Sequence, residues 1–411
     1  MIWKKKTQEA INHRVFGALS ENINYSNQSI IGLPGSYLDD KVFSQEASFV
    51  HDAPYLSTLV QNPNHIGCHT DGASENFFSG TQELEREVIA ICAEDILKAE
   101  TASYDGYIAS GGTEANLQAI WIYRNYFMRE KKADLTQIAI VCSEDSHYSM
   151  AKGADMFQLL LCSIPVDTAT RSIQPEVLDA HLAQLKSSGI HYVIVVANMM
   201  TTMFGSVDDC SMYVDSLMKN GLEFKMHVDA AYGGFYYPII NKKSELSFQN
   251  PAITSFTLDA HKIVQAPYGT GVFIIRKDWM KYATTKEASY VLGEDCTISG
   301  SRSGANAVAI WLIFAKYGFH GWFEKMHILQ KRADWLSDRL MENNVSFFRN
   351  PFSNIITLNA LGVPIELVQK YGLIPDNHHA PKWYKIVVME HVTIDKLEDF
   401  LADFKPFSCS I

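Results

Sequence analysis

Lys262 is the residue of this chain whose position most needs a chemical explanation. It lies in TLDAHKIVQAPYGT, residues 257–270, between a histidine and an apolar run. The flanking runs ITSFTL and VFII predict a strand, a turn and a second strand, which are usually buried in an α/β protein. Burial of an amine costs desolvation free energy, so a buried lysine is expected to have a chemical function. Nucleophilic attack on a carbonyl group is such a function.

Asp229 is the second candidate. It ends an apolar strand in HVDAAYGGF, residues 227–235, and two alanines and two glycines surround the following turn. Ligands bind at the carboxyl ends of strands in open parallel sheets. Ala231 would leave flat space beside the carboxylate, as a planar ring requires. A carboxylate that only caps a loop is the structural alternative.

The segment SGGTEAN, residues 110–116, lies where a predicted strand passes into a helix. Its two glycines allow a tight turn, Thr113 can cap the helix, and the N–H groups of the first helical turn can bind an anion. The spacing G-x-G-x-x-G is missing, which argues against a nicotinamide dinucleotide. A simple turn remains possible on this segment alone.

Together, an amine, a carboxylate, an anion site and space for a flat ring suit pyridoxal 5'-phosphate. The amine of Lys262 would form the Schiff base, Asp229 would keep the ring nitrogen protonated, and the glycine loop would take the phosphate. His147 follows the predicted strand QIAIVCS and would stack on the ring. Taken alone, such a histidine is more often a surface or core residue.

Composition bounds the class of protein. Apolar residues make up 47% and charged residues 20% of 411 residues, the net charge is -11 and the pI is near 5.7. An acidic chain is a poor binder of nucleic acid. Seven cysteines without a close pair indicate neither a zinc site nor a disulfide framework, so we expect no metal and a cytoplasmic enzyme. No secretory signal is predicted, because no apolar stretch follows the basic N-terminus. No membrane span is predicted either, because no window approaches roughly 20 apolar residues.

The pattern of elements predicts how these residues are positioned. Over residues 81–280 short apolar runs alternate with helical patterns, which predicts a three-layer α/β domain with a mainly parallel sheet. After residue 300, long helices and short strands predict a smaller α+β domain. We therefore expect an N-terminal arm at 1–55, a large cofactor-binding domain at 56–300 and a C-terminal small domain at 301–411.

Six motifs in order carry a family resemblance. They are SGGTEAN, SHYSMAKGADM, TTMFGSVDD, HVDAAYGGF, DAHK and TISGSRSG. The chain from about residue 64 onward resembles the group II pyridoxal-phosphate-dependent amino acid decarboxylases, which include glutamate, aromatic, histidine, serine and archaeal tyrosine/aspartate enzymes. The resemblance implies the aspartate-aminotransferase fold, fold type I. It also implies a homodimer with active sites at the subunit interface and the N-terminal arm on the partner.

The resemblance also implies roles for individual residues. Lys262 would carry the Schiff base and Asp229 would pair with the pyridinium nitrogen. His147 and Ala231 would lie against the two ring faces. The remaining cofactor contacts would be to the phosphate (Gly112, Thr113, His261), to the neighbouring subunit's phosphate (Ser301) and near the phenolic oxygen and substrate carboxylate (Thr202).

Tyr290, 28 residues after Lys262, lies on a segment that crosses the active site in this family. A tyrosine there commonly returns the proton to the substrate carbon, although it could be an ordinary loop aromatic. Two departures bear on the substrate pocket. Met200 stands where the family usually has glycine, and Cys68 and His69 stand where aspartate and proline are common.

These features predict a carboxy-lyase that converts an L-amino acid to the corresponding amine and carbon dioxide. A neutral or aromatic substrate of the histidine, serine or tyrosine type is favoured. Transamination or carbon-carbon cleavage on the same fold, or a non-catalytic relative that binds the cofactor, are the alternatives. An aminotransferase would hold the substrate carboxylate with an arginine, and Arg302 is the candidate, although it lies within the GSR motif.

Overall fold

The fold was examined in a computed structural model of the chain. The structure describes residues 79–284, 295–300 and 302–408, and seven single positions before them, at 9, 29, 31, 32, 39, 41 and 42. Tyr290, Ser301, Cys68 and His69 therefore lie outside the described residues. Within the described part of the chain, no helix combines the length and apolarity needed to cross a bilayer.

A seven-stranded sheet forms the centre of the molecule. Its strands are β1 (Tyr104–Ala109), β2 (Ile138–Ser143), β3 (Leu160–Ile164), β4 (Tyr192–Asn198), β5 (Glu223–Asp229), β6 (Ile253–Asp259) and β7 (Gly271–Arg276). Their spatial order is β1-β7-β6-β5-β4-β2-β3. The neighbours from β3 to β6 pair in parallel, whereas β7 runs antiparallel to both β6 and β1. All strands but β7 therefore point the same way.

Helices cover this sheet on both faces. They are α1 (Ser79–Ala90, continued by a wider turn at Ile91–Ile96), α2 (Gly112–Glu130), α3 (Ser149–Phe157), α4 (Pro175–Ser187), α5 (Cys210–Lys219), α6 (Tyr237–Ile240), α7 (Gly304–Glu342), α8 (Ile365–Tyr371) and α9 (Ile394–Ser408). The last three follow the large sheet in the chain.

Alternation along the strands explains the layers. Ile194 and Val196 of β4 belong to one apolar cluster with residues of α2 and α3. Val193, before these two residues, and Val195, between them, belong to another cluster with residues of α1, α4 and α5. Successive side chains of a strand point to opposite faces, so both faces of the sheet are buried. The predicted fold type I architecture, with a mainly parallel sheet, is confirmed.

A second sheet follows in the C-terminal part. Its strands are β8 (Phe347–Phe348), β9 (Ile355–Asn359), β10 (Ile374–Pro375) and β11 (Trp383–Val387), in the order β10-β11-β9-β8 with all pairs antiparallel. A third apolar cluster joins this sheet to the second half of α7, to α8 and to α9. The domain boundaries at residues 55 and 300 remain a prediction.

Helix α7 consists of two helical segments that meet at a kink. The helix runs over 39 residues, and its kink lies at Gly318, where φ is 58° and ψ is -179°. Glycine adopts this positive φ without the steric cost that other residues meet. The change of direction therefore falls at this glycine.

Candidate active site

The carboxyl ends of five strands converge on one cavity. Strands β1, β2, β4, β5 and β6 point the same way, so the loops that follow them meet at one edge of the sheet. The cavity holds about 350 Å³. Eight residues predicted for the site line it: Gly112, Thr113, His147, Thr202, Asp229, Ala231, His261 and Lys262. The structure thus brings together every predicted site residue that it describes.

Lys262 is held at this edge by a residue that the sequence reasoning did not select. Its Nζ lies 3.1 Å from Oδ2 of Asp259, the last residue of β6, and the same oxygen lies 3.6 Å from Nε2 of His261. The Asp259 side chain is 3% exposed and that of Lys262 is 21% exposed. The carboxylate therefore anchors the amine while leaving it accessible. A signal was available, since Asp259 opens the DAHK motif.

The glycine loop approaches the neighbouring strands closely. A Cβ on Gly112 would lie 2.8 Å from Oδ2 of Asp259, and a Cβ on Gly271 would lie 2.5 Å from the Gly111 backbone. Only glycine fits such contacts. The N-terminus of α2 is thereby placed beside His261. A Cβ added to Gly111 would lie 3.5 Å from the His261 ring. Its first-turn N–H groups can bind an anion there.

Thr113 does not cap α2 as the sequence suggested. The helix begins at Gly112, so Gly111 occupies the cap position and no side chain caps it. Instead, the carboxylate of Glu114 accepts hydrogen bonds from the backbone N–H and the hydroxyl of Ser110, at 3.0 and 2.6 Å. The helix therefore starts two residues earlier than a Thr113 cap would place it, and Thr113 lies in the first turn at the cavity.

The carboxylate of Asp229 is oriented at both oxygens. Oδ2 accepts a hydrogen bond from Nδ2 of Asn116 at 2.8 Å, and Oδ1 accepts one from the backbone N–H of Ala231 at 3.1 Å. The residue is 7% exposed and lines the cavity. Asn116 lies on α2, 113 residues earlier in the chain, so its role could not be found from local sequence.

His147 presents a neutral ring at the cavity. Its Nδ1 lies 2.8 Å from Oγ of Ser149 and accepts the backbone N–H of the same residue at 3.3 Å. Burial is the largest cause that lowers the pKa of His147, and the carboxylate of Asp229 opposes it. The ring of Tyr148 lies 4.0 Å from the His147 ring. The imidazole is therefore available for stacking as an uncharged group.

The loop after β4 forms another wall. Met200 lines the cavity, is 3% exposed and has φ of 70°, in the left-handed region where residues other than glycine are uncommon. The family's usual glycine would adopt this backbone without strain, so methionine here costs roughly 1 kcal/mol and fills space at the cavity.

Lys385 of β11 supports the same loop. Its Nζ donates to the carbonyl oxygen of Thr202 at 3.0 Å. Burial, and secondarily the charge of Lys262, lowers the pKa of Lys385 to about 8. Sequence reasoning missed this residue, which shows only as a lysine inside the apolar run YKIVVM.

Arg302 lies away from the cavity wall. Its guanidinium is buried, pairs with the carboxylate of Glu85, donates to the carbonyl of Ile108 at 3.3 Å and lies 5.0 Å from the ring centre of Tyr107. An arginine used in this way is not available to a substrate carboxylate. The geometry therefore gives no support to the aminotransferase alternative.

Two buried polar atoms at the cavity lack a partner, and one of them suits an anionic cofactor. His261 Nδ1 and Asp259 Oδ1 have no hydrogen-bond partner among the described residues, although such atoms are nearly always paired. Both belong to residues of the cavity, next to Lys262 and the start of α2. A phosphate could accept a hydrogen bond from His261 Nδ1, whereas the carboxylate oxygen of Asp259 only accepts and is no phosphate ligand. No cluster of three or more metal-binding side chains occurs within the described ranges.

Comparison with known proteins identifies the family. Residues 81–356 match the pyridoxal-dependent decarboxylase conserved domain. The chain is 46% identical over 408 residues to tryptophan decarboxylase of Clostridium sporogenes (strain ATCC 15579), covering 99% of this chain and 98% of the relative. It is 30% identical over 386 residues to the L-aspartate/L-glutamate decarboxylase of Pyrococcus horikoshii, covering 90% of this chain and 92% of that one. The chain belongs to the pyridoxal-dependent decarboxylase family.

Solved structures agree on the fold. The chain superposes on L-methionine decarboxylase from Streptomyces sp. 590 with a TM-score of 0.80 at 18% identity, covering 99% of this chain and 96% of that one. It superposes on Oryza sativa TDC with PLP and tryptamine with a TM-score of 0.82 at 13% identity, covering 100% and 89%. With the family established, the chain is a carboxy-lyase that uses pyridoxal phosphate to decarboxylate an amino acid, and the predicted resemblance is confirmed.

Proposed function

We propose that this enzyme converts an aromatic L-amino acid, with L-tryptophan as the first candidate, to the corresponding amine and carbon dioxide. The observation that carries the proposal is the 46% identity to a tryptophan decarboxylase over nearly the whole length of both chains. The relatives that are named for tyrosine/aspartate or aspartate substrates share 27–30% identity with this chain. An aromatic substrate also agrees with the preference inferred from the motifs.

When bound, pyridoxal phosphate supplies an electron sink for the pair left by departing carbon dioxide. Lys262 would supply the amine that binds the cofactor's carbonyl group, and Asp259 holds that amine at the end of β6. Asp229 would hold the proton on the ring nitrogen, which would favour electron flow into the ring. Each of these residues lies at or just after the end of a buried strand.

Further contacts complete the proposed cofactor site. His147 and Ala231 would contact the two ring faces. The first turn of α2, including Gly112 and Thr113, and the unpartnered Nδ1 of His261 would bind the phosphate. Thr202 would lie near the substrate carboxylate. Its backbone carbonyl accepts the hydrogen bond from Lys385.

Two roles that the motifs imply belong to residues outside the described part of the chain. Tyr290 would protonate the substrate carbon after carbon dioxide leaves. Ser301 would contact the phosphate in the neighbouring subunit. The role of Ser301 requires active sites at the interface of a homodimer, and the exposed rings of Tyr148 and Tyr268 beside the cavity support that arrangement. We place the enzyme in the cytoplasm, in keeping with the buried thiols of Cys92 and Cys142.

A panel of the twenty L-amino acids, scored by release of carbon dioxide and by the amine formed, tests the substrate. We expect tryptophan and other aromatic amino acids to give the highest kcat/KM. A clear preference for aspartate or glutamate would instead place the enzyme with the acidic-substrate relatives and overturn the aromatic assignment.

The role of Lys262 is tested by Lys262→Ala. Without the amine that anchors the cofactor, turnover should fall by at least about a thousandfold, equivalent to about 4 kcal/mol of transition-state stabilisation. The visible absorbance of the lysine-bound cofactor should disappear. Lys277→Ala is the matched control, because Lys277 also pairs with an aspartate, Asp105, but lies outside the cavity. Turnover retained by Lys262→Ala would remove the lysine from the mechanism.

A further inference from the structure

A chain of hydrogen bonds runs behind Asp229 through fully buried side chains. Tyr123 Oη contacts Ser255 Oγ, which lies 2.6 Å from Nδ1 of His227. Nε2 of His227 lies 3.0 Å from Oδ1 of Asn116, whose Nδ2 donates to Asp229 at 2.8 Å. Except at Asp229, exposed by 7%, none of these side chains is more than 1% exposed. The chain joins α2, β5 and β6 directly beneath the cavity.

Asn116 is the branch point of this chain. Its Nδ2 also donates to Oγ of Ser149 at 3.0 Å, and that hydroxyl lies 2.8 Å from Nδ1 of His147. One amide group therefore contacts Asp229, His227 and, through Ser149, His147. Two of these three residues line the cavity in which the cofactor is proposed to bind.

The direction of every hydrogen bond follows from the chemistry of the groups. An ionised carboxylate only accepts, so Asn116 must turn Nδ2 toward Asp229 and Oδ1 toward His227. His227 must then carry its proton on Nε2, and its Nδ1 accepts the Ser255 hydroxyl. Thr257 Oγ1, 3.0 Å from the same Nε2, is a second acceptor for that proton. Burial lowers the pKa of His227 to about 4, so the ring carries a single proton near neutral pH.

The same reasoning fixes the second histidine. Ser149 Oγ accepts from Asn116, so its own hydrogen is free to point to Nδ1 of His147. The backbone N–H of Ser149 also donates to that Nδ1, which must therefore be an acceptor. His147 then carries its proton on Nε2. Asn116 thus directs the proton position on His227 and, together with the backbone N–H of Ser149, supports that on His147.

We propose that Asn116 is the positioning residue of the cofactor site, which orients the carboxylate of Asp229 and fixes the Nε2-protonated form of both His147 and His227. The inference rests on the proposed function, in which Asp229 and His147 contact the cofactor. Asn116 itself acts through these residues. Its removal leaves a buried carboxylate with one donor fewer, allows the His227 ring to change its proton position and weakens the Ser149 contact that holds His147.

The unmodified holoenzyme provides the first test. Protein labelled with ¹⁵N in its histidine rings should show, at pH 7.5, both His147 and His227 as neutral rings protonated on Nε2. The two signals are assigned by their loss in His147→Gln and His227→Gln. A proton on Nδ1 of either ring would overturn the inference. This measurement needs no variant at position 116, so it stands even if such a variant does not fold.

Variants provide the second test. Asn116→Asp replaces a donor with a second carboxyl group against Asp229. We expect kcat to fall by about 10- to 100-fold, in line with a lost hydrogen bond to a charged group, while KM changes by less than about threefold. Cofactor retention on dialysis should weaken by about tenfold, and both histidine signals should shift. Activity within about threefold of the parent, with both signals unmoved, would contradict the proposal.

Two further variants separate positioning from loss of structure. Ser149→Ala cuts only the branch to His147, so its signal should shift while that of His227 stays. Asn125→Asp is the matched control, because Asn125 is a buried asparagine of the same helix whose Nδ2 donates to the carbonyl of Tyr282 instead. It should change stability but neither histidine signal. If the parent enzyme decarboxylates no aromatic amino acid, the proposed function fails, yet the proton positions still decide the inference.

Discussion

At the scale of single residues, Lys385 is buried among apolar neighbours of β11, and no carboxylate of the described residues pairs with it. An isolated buried ammonium group is costly, because its hydration is lost without a compensating charge. The hydrogen bond from Lys385 to the Thr202 carbonyl at the cavity wall offsets part of that cost. Its effect on stability should therefore depend on pH.

The sign follows from the lowered pKa. Between about pH 8, the folded pKa, and 10.5, the ordinary value, the unfolded chain binds more protons than the folded protein, so stability rises with pH. Lys385→Met should consequently stabilise the protein at pH 7 by about 2 kcal/mol, the burial cost less one hydrogen bond. The gain should shrink as pH rises from 8 through 10.5. Urea unfolding of parent and variant at pH 7 and pH 10 measures it.

Lys370→Met is the control for this prediction. Lys370 is an exposed lysine of the same C-terminal part, with a side chain 58% exposed. Its replacement should change stability by less than about 0.5 kcal/mol, with little dependence on pH in this range. A Lys385→Met variant that is destabilised equally at both pH values would show that packing, and not charge, dominates at this position.

At the scale of elements, the start of α2 is fixed by contacts that admit no side chain. Gly112→Ala would place a methyl group 2.8 Å from Asp259 Oδ2 and 3.1 Å from the Ala231 Cβ. Asp259 must then move and release Lys262. We expect cofactor affinity to fall by roughly tenfold, about 1.4 kcal/mol, as measured by equilibrium dialysis.

A helical glycine without such contacts provides the comparison. A Cβ on Gly321 of α7 would meet Tyr317 atoms at 3.5 and 3.6 Å, which is an ordinary van der Waals distance. Gly321→Ala should leave cofactor affinity unchanged and stabilise the helix slightly. Equal effects of the two substitutions would mean that the site tolerates movement of the loop.

Sequence patterns predicted the strands where burial is continuous. All residues of β2 and β6 are buried, and their β-branched runs are unambiguous. No strand is predicted over β3, because it lies at the sheet edge with Leu160 51% exposed and has no continuous buried run. The antiparallel direction of β7 follows from the short connection after β6, which the strand-turn-strand pattern contained.

The site residues divide in the same way. The placement of Lys262, Asp229 and His147 at the cavity was predictable because each lies at or just after the end of an apolar strand and carries a chemically distinctive group. Asn116 and Lys385 were not, because their partners lie 113 and 183 residues away in the chain. Local patterns show which groups a strand delivers to the edge of the sheet. They do not show which distant groups orient them.

At the scale of the whole molecule, two exposed aromatic side chains at the cavity support the proposed homodimer. Tyr148 and Tyr268 line it, yet they are 66% and 67% exposed. Exposed apolar surface next to a binding cavity is typical of a surface that another chain covers. With the proposed homodimer, these rings would be buried at the interface that completes the active site.

We therefore expect the purified chain to sediment as a dimer at micromolar concentration, and the double substitution Tyr148→Asp with Tyr268→Asp to shift it toward monomer. Charges placed in a buried interface cost several kcal/mol per site. The monomer fraction of the double variant should therefore increase with dilution, and its activity should fall in parallel. Leu361→Asp is the control, since Leu361 is 95% exposed on the small sheet's connecting turn and does not line the cavity. Sedimentation velocity combined with activity across a dilution series tests the link. A parent chain that is fully active as a monomer would show that each cavity is complete within one subunit, and the exposed tyrosines would then be contacts for substrate alone.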